Sequence, residues 1–516
     1  MLKSKSKQLT LYSILYDKIP DNHILRNIEK AVDFSFINKL LEKSYSKRFG
    51  RPAKEPETMA KLLILQYLYN LSDVKIIEEA SLNLAYMWFI GINPDEDLPD
   101  PSLLAKFRTQ RLKDNSVDDI IKEVVRQCIE QNIIKGTGVS IDATHAAANT
   151  TKLVPERIMA RLAKTILKNV VKESGEIPSG INSNIPDYKV IEDTKEAKRV
   201  MKDYLEGMMA QLENTVNTSN MLETEQAITE AREILGDEKF IIQKGIRSLV
   251  DKDARVGYKS KTDSFYGYKI EFAMMPEERI ITAIETCDGA YVDGNKFDKL
   301  YNRSKECGVT IKEVYGDKAY FRKPILDILR TDKVEAIIPI SASVYKIDES
   351  TFSYNKDSDQ WFCRMGNYTI DKKHKKCGKG SWAPDNLRYI FDKAICMGCP
   401  HKMECAGKAA SAKRLDVGIN TADYYEHSQR AQTQEFKEKY KKRASHEWKN
   451  GEMKRFHGLD RARGYGLRSM SMQAKLTALA VNLKRIAALV SLYLRIWGRI
   501  SSKVPYWKIK LPVYAF

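Results

Sequence analysis

The stretch "YKKRASHEWKNGEMK", residues 440–454, places Glu447 and Glu452 among Lys441, Lys442, Arg443, Lys449 and Lys454, with no apolar stripe to bury. If it is wound as a helix at about 100° per residue, Tyr440, Arg443, Glu447 and Lys454 fall within about 60° of one another, on one narrow stripe. Taken alone, Arg443 and Glu447 form an i, i+4 ion pair on a solvated helix. Asn450-Gly451 argues against an unbroken helix. Two further carboxylates stand where a chain commonly places reactive groups. Asp142 ends the short buried strand "VSI", and Asp317 ends the strand pattern "IKEVYG". Singly, an Asp at a strand end is a turn residue.

Cysteine supplies a second chemistry. "CMGCPHKMEC" carries Cys396, Cys399 and Cys405, with Cys363 and Cys377 upstream. Cys-x2-Cys followed by Pro400 is a zinc-knuckle spacing, with the fourth ligand open among Cys363, Cys377, His401 and His374; free thiols are the alternative. A redox role fits less well, because no βαβ pattern surrounds the pair. His145, three residues past Asp142, is placed to touch DNA or metal, or to be a polar surface residue. The run "DKKHKKCGKG" (371–380) is a DNA contact or a solvated loop.

The elements that must position these groups follow from patterning. Residues 1–135 read as helical. "PETMAKLLILQYLYNLSDVKIIEEASLNLAYMWFIG" (56–91) divides into two helices at Ser72-Asp73, behind the basic "KSYSKRFGRPAK" (43–54). From 136 to 341 strands alternate with helices, which predicts an α/β core. Its strands are expected at 266–275 and 279–289, a hairpin across Pro276-Glu277-Glu278, as a short strand within 309–321 that ends at Gly316-Asp317, and at 333–340. A helical insertion occupies about 150–250, with helices over 155–173 and 194–216. Residues 342–410 form a Cys-rich β insertion, and 411–516 are helical with a break near 457–466.

Composition bounds the function. The 516 residues carry 86 Lys/Arg against 68 Asp/Glu, a net charge of +18. That excess favours a polyanionic partner. No run reaches the 18 or so uninterrupted apolar residues of a membrane span, and the amino terminus lacks a signal-peptide core. Eight cysteines in so long a chain do not make a disulfide scaffold. A soluble, cytoplasmic protein is expected, with no membrane partner.

The spacing Tyr-x2-Arg-x3-Glu-x6-Lys, met by Tyr440, Arg443, Glu447 and Lys454, resembles the signature of one branch of bacterial insertion-sequence transposases in the DDE (Asp-Asp-Glu) superfamily. Asp317-Lys318-Ala319-Tyr320 is similar to that family's second-Asp motif (Asp, any, Gly/Ala, Tyr/Phe), and Asp142 has the setting of the first. "YSKRFGRPAKEPETMAKLLILQYL", "SLVDKDARVGYKSKTDSFYGYKIEFAM" and "LTALAVNLKRIAAL" look like parts of the same proteins.

The resemblance implies a ribonuclease-H-like catalytic core in which the first Asp ends the first strand, the second ends the adjacent fourth strand, and the Glu lies on a later helix. It implies that Asp142, Asp317 and Glu447 are catalytic and hold two Mg²⁺ or Mn²⁺ ions, with Tyr440, Arg443 and Lys454 on DNA. The partners implied are double-stranded DNA, as terminal inverted repeats and target, and a second copy of the chain. Such enzymes stack a flipped base on an aromatic, for which Trp448 and Trp361 are the candidates. The expected function is metal-dependent strand cleavage and transfer that moves an insertion sequence by cut-and-paste. The alternatives are a non-catalytic DNA-binding protein on the same scaffold and a nuclease without strand transfer.

Overall fold

The computed structural model describes residues 10–46, 53–112, 116–216, 220–237, residue 240, and residues 247–260, 262–375 and 386–501. Its amino-terminal part is helical as expected: α1 (Ile24–Ala31), α2 (Phe36–Leu41), α3 (Pro56–Leu68), α4 (Asp73–Leu82), α5 (Leu84–Ile90), α6 (Ser102–Lys106) and α7 (Ser116–Glu130). The break at Ser72 is real, and the Ser72 hydroxyl accepts the Lys75 amide at 3.2 Å as an N-cap. Every residue of α3 is buried. Lys61 is tolerated there because its ammonium meets Glu29 at 2.6 Å and Glu57 at 2.8 Å.

The chain is mixed α/β, and its largest sheet contains β1 (Gly138–Ala147), β2 (Arg255–Tyr258), β3 (Ser264–Met275), β4 (Ile280–Asp288), β5 (Glu313–Tyr315) and β6 (Glu335–Ile337). β3 is antiparallel to both β1 and β4, while β1 pairs parallel with β5 and β5 with β6. The order across the sheet is therefore β4-β3-β1-β5-β6, with β2 on the early residues of β3. The hairpin across 276–278 forms as predicted.

Three strand predictions need correction. β5 and β6 are three residues each, shorter than the strands expected up to Gly316-Asp317 and over 333–340. β1 is longer: Asp142 is its fifth residue, not its end. The strand continues because β3 pairs with it as far as Ala147↔Gly267, where a Cβ on Gly267 would lie 2.1 Å from the Ala146 carbonyl oxygen. The parallel pairing with β5, however, stops at Ser140↔Tyr315. Asp142 thus stands just beyond the point where one neighbour strand ends, beside the turn that holds Asp317.

Among the described residues, the insertion after β1 has three α-helices, α8 (Pro155–Ser174), α9 (Thr194–Thr215) and α10 (Leu222–Leu235), around a core of its own that includes Ile158, Leu162, Met201 and Leu205. Its neck is clipped by reciprocal Leu153–Arg247 backbone bonds at 2.8 and 3.1 Å and by the Thr150–Ser248 hydroxyl pair at 2.8 Å. Helices α11 (Phe297–Glu306) and α12 (Lys323–Thr331) follow β4 and β5.

The Cys-rich segment has a hairpin, β7 (Phe352–Asn355) with β8 (Gln360–Cys363), and a three-stranded sheet of β9 (Thr369–Lys375), β10 (Asn386–Phe391) and β11 (Arg414–Gly418). Two short helices, α13 (Lys393–Met397) and α14 (Lys402–Cys405), lie between β10 and β11. This sheet carries the segment to Gly418, beyond the boundary expected at 410.

The carboxy-terminal helices are α15 (Thr421–Gln432), α16 (Gln434–Tyr440), α17 (Ala444–His457) and α18 (Leu467–Ser501). The stretch 440–454 is not one helix. A 3-10 turn over Lys441–Arg443 separates α16 from α17, whereas Asn450-Gly451 leaves α17 intact. α18 packs on β4, α1, α3 and α7. By length and composition Leu467–Arg495 is apolar enough to cross a membrane, but 61% of its most apolar window is buried inside the protein. Its Asn482 accepts the Ile281 amide and donates to the Ile281 carbonyl, both at 2.7 Å, and so takes the place of a neighbour strand at the edge of β4. Asn482→Ala would leave both backbone groups buried and unpaired, so it should lower unfolding stability by about 2–4 kcal/mol, read as a shift of the urea midpoint. An unchanged midpoint would refute that role.

Candidate active site

The residues singled out at 142, 317, 440, 443 and 447 come together, although they arrive on five separate elements. Asp142 projects from β1 and is mostly buried, its side chain 13% exposed. One of its oxygens accepts the Ala143 amide at 2.9 Å. Asp317 caps the 3-10 turn over Lys318–Tyr320 and accepts the Ala319 amide at 2.8 Å. That turn is fixed from below. Tyr320 is buried and donates to Glu271 of β3 at 2.7 Å, and Glu271 also accepts Tyr291 at 2.7 Å and the Gly294 amide at 2.6 Å.

Arg443 sits between the carboxylates. Its Nη2 donates to Asp142 Oδ2 at 2.7 Å, and its Nη1 is 3.8 Å from Glu447 Oε1. The i, i+4 pair predicted from spacing is thus present but is the looser of the two. Burial pushes the Asp142 carboxyl up to about 6, and the nearby charges of Asp317 and Asp293 add to this against the opposing pull of Arg443. Asp293 is itself held by Lys269 at 2.9 Å. Arg443 Nε is buried and has no hydrogen-bond partner. Tyr440 lies within the field of Asp142, Asp317 and Glu447, its ring stacked on Phe436. Burial raises its phenol above the ordinary value.

Glu447 is different in kind: its side chain is 73% exposed. The helix beneath it is held firmly. His446 is buried, with Nε2 2.8 Å from the Ser140 carbonyl and its ring 4.6 Å from that of Phe272. His457 Nδ1 lies 2.9 Å from the Tyr67 carbonyl of α3. Lys449, also buried, pairs with Glu452 at 2.9 Å. Gly458 ends the helix at φ +69°, a left-handed turn that favours glycine. Asp460 and Ala462 then bond Ala147 at the end of β1, each at 2.8 Å. Nothing in the pattern of charges marked His446 as an anchor; its position beside Glu447 was the sole hint.

Lys454 does not join the carboxylates. It lies with Lys259 and within the field that acts on His145, and burial beside Lys259 lowers its ammonium to about 8. His145 stacks on Phe265 at 4.8 Å, and burial lowers its imidazole to about 4.

The two tryptophans separate cleanly. Trp361 is 1% exposed, packed against Tyr354 and Tyr425 in the core of the Cys-rich segment. Trp448 is 68% exposed, has Arg279 5.1 Å from its ring centroid, and lines a cleft of about 660 Å³ with Glu447, Arg455, Phe456 and Lys484.

Cys363, Cys396, Cys399 and Cys405 line one cavity of about 590 Å³ together with His401. All are free thiols. Asn367 Nδ2 donates to Cys396 Sγ at 3.3 Å, and burial raises the Cys405 thiol, with the other three adding. His374 lies on β9, away from this lining, and Cys377 falls outside the described residues. Among the described residues, no group of three or more His, Cys, Asp or Glu is drawn together closely enough to hold a metal ion. At the carboxylates the physical reason is plain: Arg443 occupies Asp142, and Glu447 faces solvent.

His446→Ala removes a buried ring and its contact with Ser140, so it should lower stability by roughly 2–4 kcal/mol in denaturant titrations. Trp448→Ala, two residues away but exposed, should stay within about 0.5 kcal/mol. The reverse ranking would mean that α17 is not anchored through His446.

Comparison with known proteins gives two family matches. Residues 13–110 match a family described as "Transposase domain (DUF772)", and residues 362–487 match one described as "Transposase DDE domain". The second match takes in the cysteine cluster and Tyr440 to Lys454; neither includes Asp142 or Asp317. No curated protein matches. Among solved structures, a cryo-EM piggyBac transposase synaptic complex with hairpin DNA aligns with 95% of this chain and 83% of its own, at 10% identity. Its TM-score of 0.28 is too low to carry an argument. The two family matches support a DDE-type transposase.

Proposed function

We propose that this chain is an active DDE transposase that cleaves DNA and transfers the cut strands, moving an insertion sequence by cut-and-paste on a ribonuclease-H-like core. The observation that carries the reading is the position of Arg443, with one amine on Asp142, another facing Glu447, and Asp317 adding its charge at the same place. The strand order β4-β3-β1-β5-β6, with β5 parallel to β1, supports the core assignment: it sets the turn bearing Asp317 beside Asp142.

The donor chemistry suits two Mg²⁺ or Mn²⁺ ions. Asp142, Asp317 and Glu447 offer hard oxygens, and Asp142 is a buried carboxylate whose cationic partner is Arg443. Such ions would supply charge stabilisation to the attacking and leaving phosphate oxygens. The protein's own groups do the rest. Arg443, a planar group with several donors and a partly exposed side chain, is placed to donate to a DNA phosphate. Tyr440 flanks the scissile strand, Lys454 meets phosphate from the basic cluster with Lys259, and Trp448 offers the exposed ring for an unstacked base. The enzyme works in the cytoplasm as a homodimer that brings two element ends together.

Asp142→Asn, Asp317→Asn and Glu447→Gln should each reduce Mg²⁺-dependent cleavage of a plasmid carrying the coding region and its flanks by about 10⁴-fold or more, with duplex binding kept within a few-fold. Binding without cleavage by the unaltered protein would favour the non-catalytic reading, and cleavage without joined products the nuclease.

The cysteine cavity is proposed as a structural zinc site in which the four thiols close on the ion. Elemental analysis should find about one zinc per chain, lost in Cys396→Ser/Cys399→Ser together with stability of the small β core. Purified protein that is stable and zinc-free would rule this out.

A further inference from the structure

The helical insertion carries a feature that the catalytic reading leaves unused. α8 turns its apolar residues, among them Ile158, Leu162, Ile166 and Val170, onto α9 and α10. Its opposite face presents Arg157, Arg161, Lys164, Lys168 and Lys172, all exposed. The intervals of four, three, four and four residues keep these cations on one side of the helix. Arg157 to Lys168 spans roughly 17 Å of helix axis at about 1.5 Å per residue.

The neighbouring helices show what a merely solvated charged surface looks like in this chain. On α9, Arg199 pairs with Asp203 and Lys202 with Glu206; on α10, Arg232 pairs with Glu213, and Glu230 meets Lys252. On α8, among the described residues, only Lys172 is matched, by Glu223 at 2.6 Å. Of the two acidic residues of α8, Glu156 is buried, and Glu173 is spent accepting the Glu223 and Thr224 amides that start α10. Arg157, Arg161, Lys164 and Lys168 have no carboxylate partner among the described residues. Four like charges held at this spacing repel one another, and the helix gains nothing from them internally. They are complementary to a regular external polyanion.

We infer that the solvent face of α8 is a docking surface for the phosphate backbone of duplex DNA, engaged alongside the carboxylate site. This rests on the proposed DNA-processing function and extends it to a segment that holds none of the catalytic residues. The topology supports the placement: Pro155 opens α8 thirteen residues after Asp142, and the clipped neck ties the insertion to the end of β1. Point-charge contacts of this kind fix position on the duplex without reading its sequence.

The test uses the full chain and a 40-base-pair duplex of mixed sequence, followed by fluorescence anisotropy from 50 to 300 mM NaCl. Removing one cation that neutralises a phosphate should flatten the plot of log affinity against log salt by about 0.9. Arg157→Gln/Arg161→Gln/Lys164→Gln/Lys168→Gln should therefore reduce the slope by roughly 2–4 and weaken binding at least tenfold at 150 mM, with the unfolding midpoint unchanged. Arg199→Gln/Lys202→Gln/Arg232→Gln, on the paired helices, should reduce the slope by less than 1. An unchanged slope in the α8 variant, or an equal reduction in the α9/α10 variant, would overturn the inference while leaving the transposase reading in place. If the unaltered protein shows no salt-dependent duplex binding, the DNA-processing reading falls and this inference with it.

Discussion

The site is governed by the burial of one carboxylate and by the cation that offsets it. Asp142 is drawn into a mostly buried strand position where Asp317 and Asp293 add their negative fields, and the compensating cation comes from 301 residues further along the chain. At an effective dielectric near 20, two unit charges about 4 Å apart interact by about 4 kcal/mol. A buried carboxylate without a partner is therefore untenable. Arg443 offers a planar group with several donors, so it can hold Asp142 through one amine, face Glu447 with another, and still keep Nε uncommitted. A lysine has the charge but not that divided geometry.

Holding Arg443 at that point is a task shared across the fold. The helix after it is seated on β1 through His446, on the amino-terminal helices through His457, and on the end of β1 again through Asp460 and Ala462. α18 closes the arrangement by packing on β4 and on α1, α3 and α7, with Asn482 serving the free edge at Ile281. The segments that match the two transposase families thus meet each other directly, through His457 and Tyr67, at the carboxy-terminal end of the helix that bears Glu447.

Much of this was legible in residue types and spacing. The helix break at Ser72, the hairpin across 276–278 and the helices of the insertion follow from local signals that act over a few residues. The grouping of Asp142, Asp317, Arg443 and Glu447 was legible only through the resemblance, because no local rule joins positions three hundred residues apart. What was missed depends on tertiary pairing. β1 runs on past Asp142 because β3 is long enough to pair with it, and the turn over Lys441–Arg443 re-aims the Tyr440 stripe so that Arg443 meets Asp142 first. Lys454 stands apart because it lies seven residues, about 10 Å, further along α17 than Glu447. Burial alone divides Trp361 from Trp448, and local composition could not distinguish them.

The anchoring also decides how the three carboxylates can approach one another. A helix fixed at His446 and again at His457 cannot swing in as a unit without breaking two buried contacts and the bridge to Ala147. Asp317 is equally fixed, by the Ala319 amide and by the Tyr320–Glu271 bond beneath it. The freedom that remains lies in side chains: the exposed Glu447, with three rotatable bonds, and Arg443, whose bond to Asp142 competes with any cation or phosphate that arrives. On the proposed reading, bringing the three carboxylates together is a local exchange of partners at Arg443 rather than a docking of α17, since α17 and the turn bearing Asp317 are held by buried contacts.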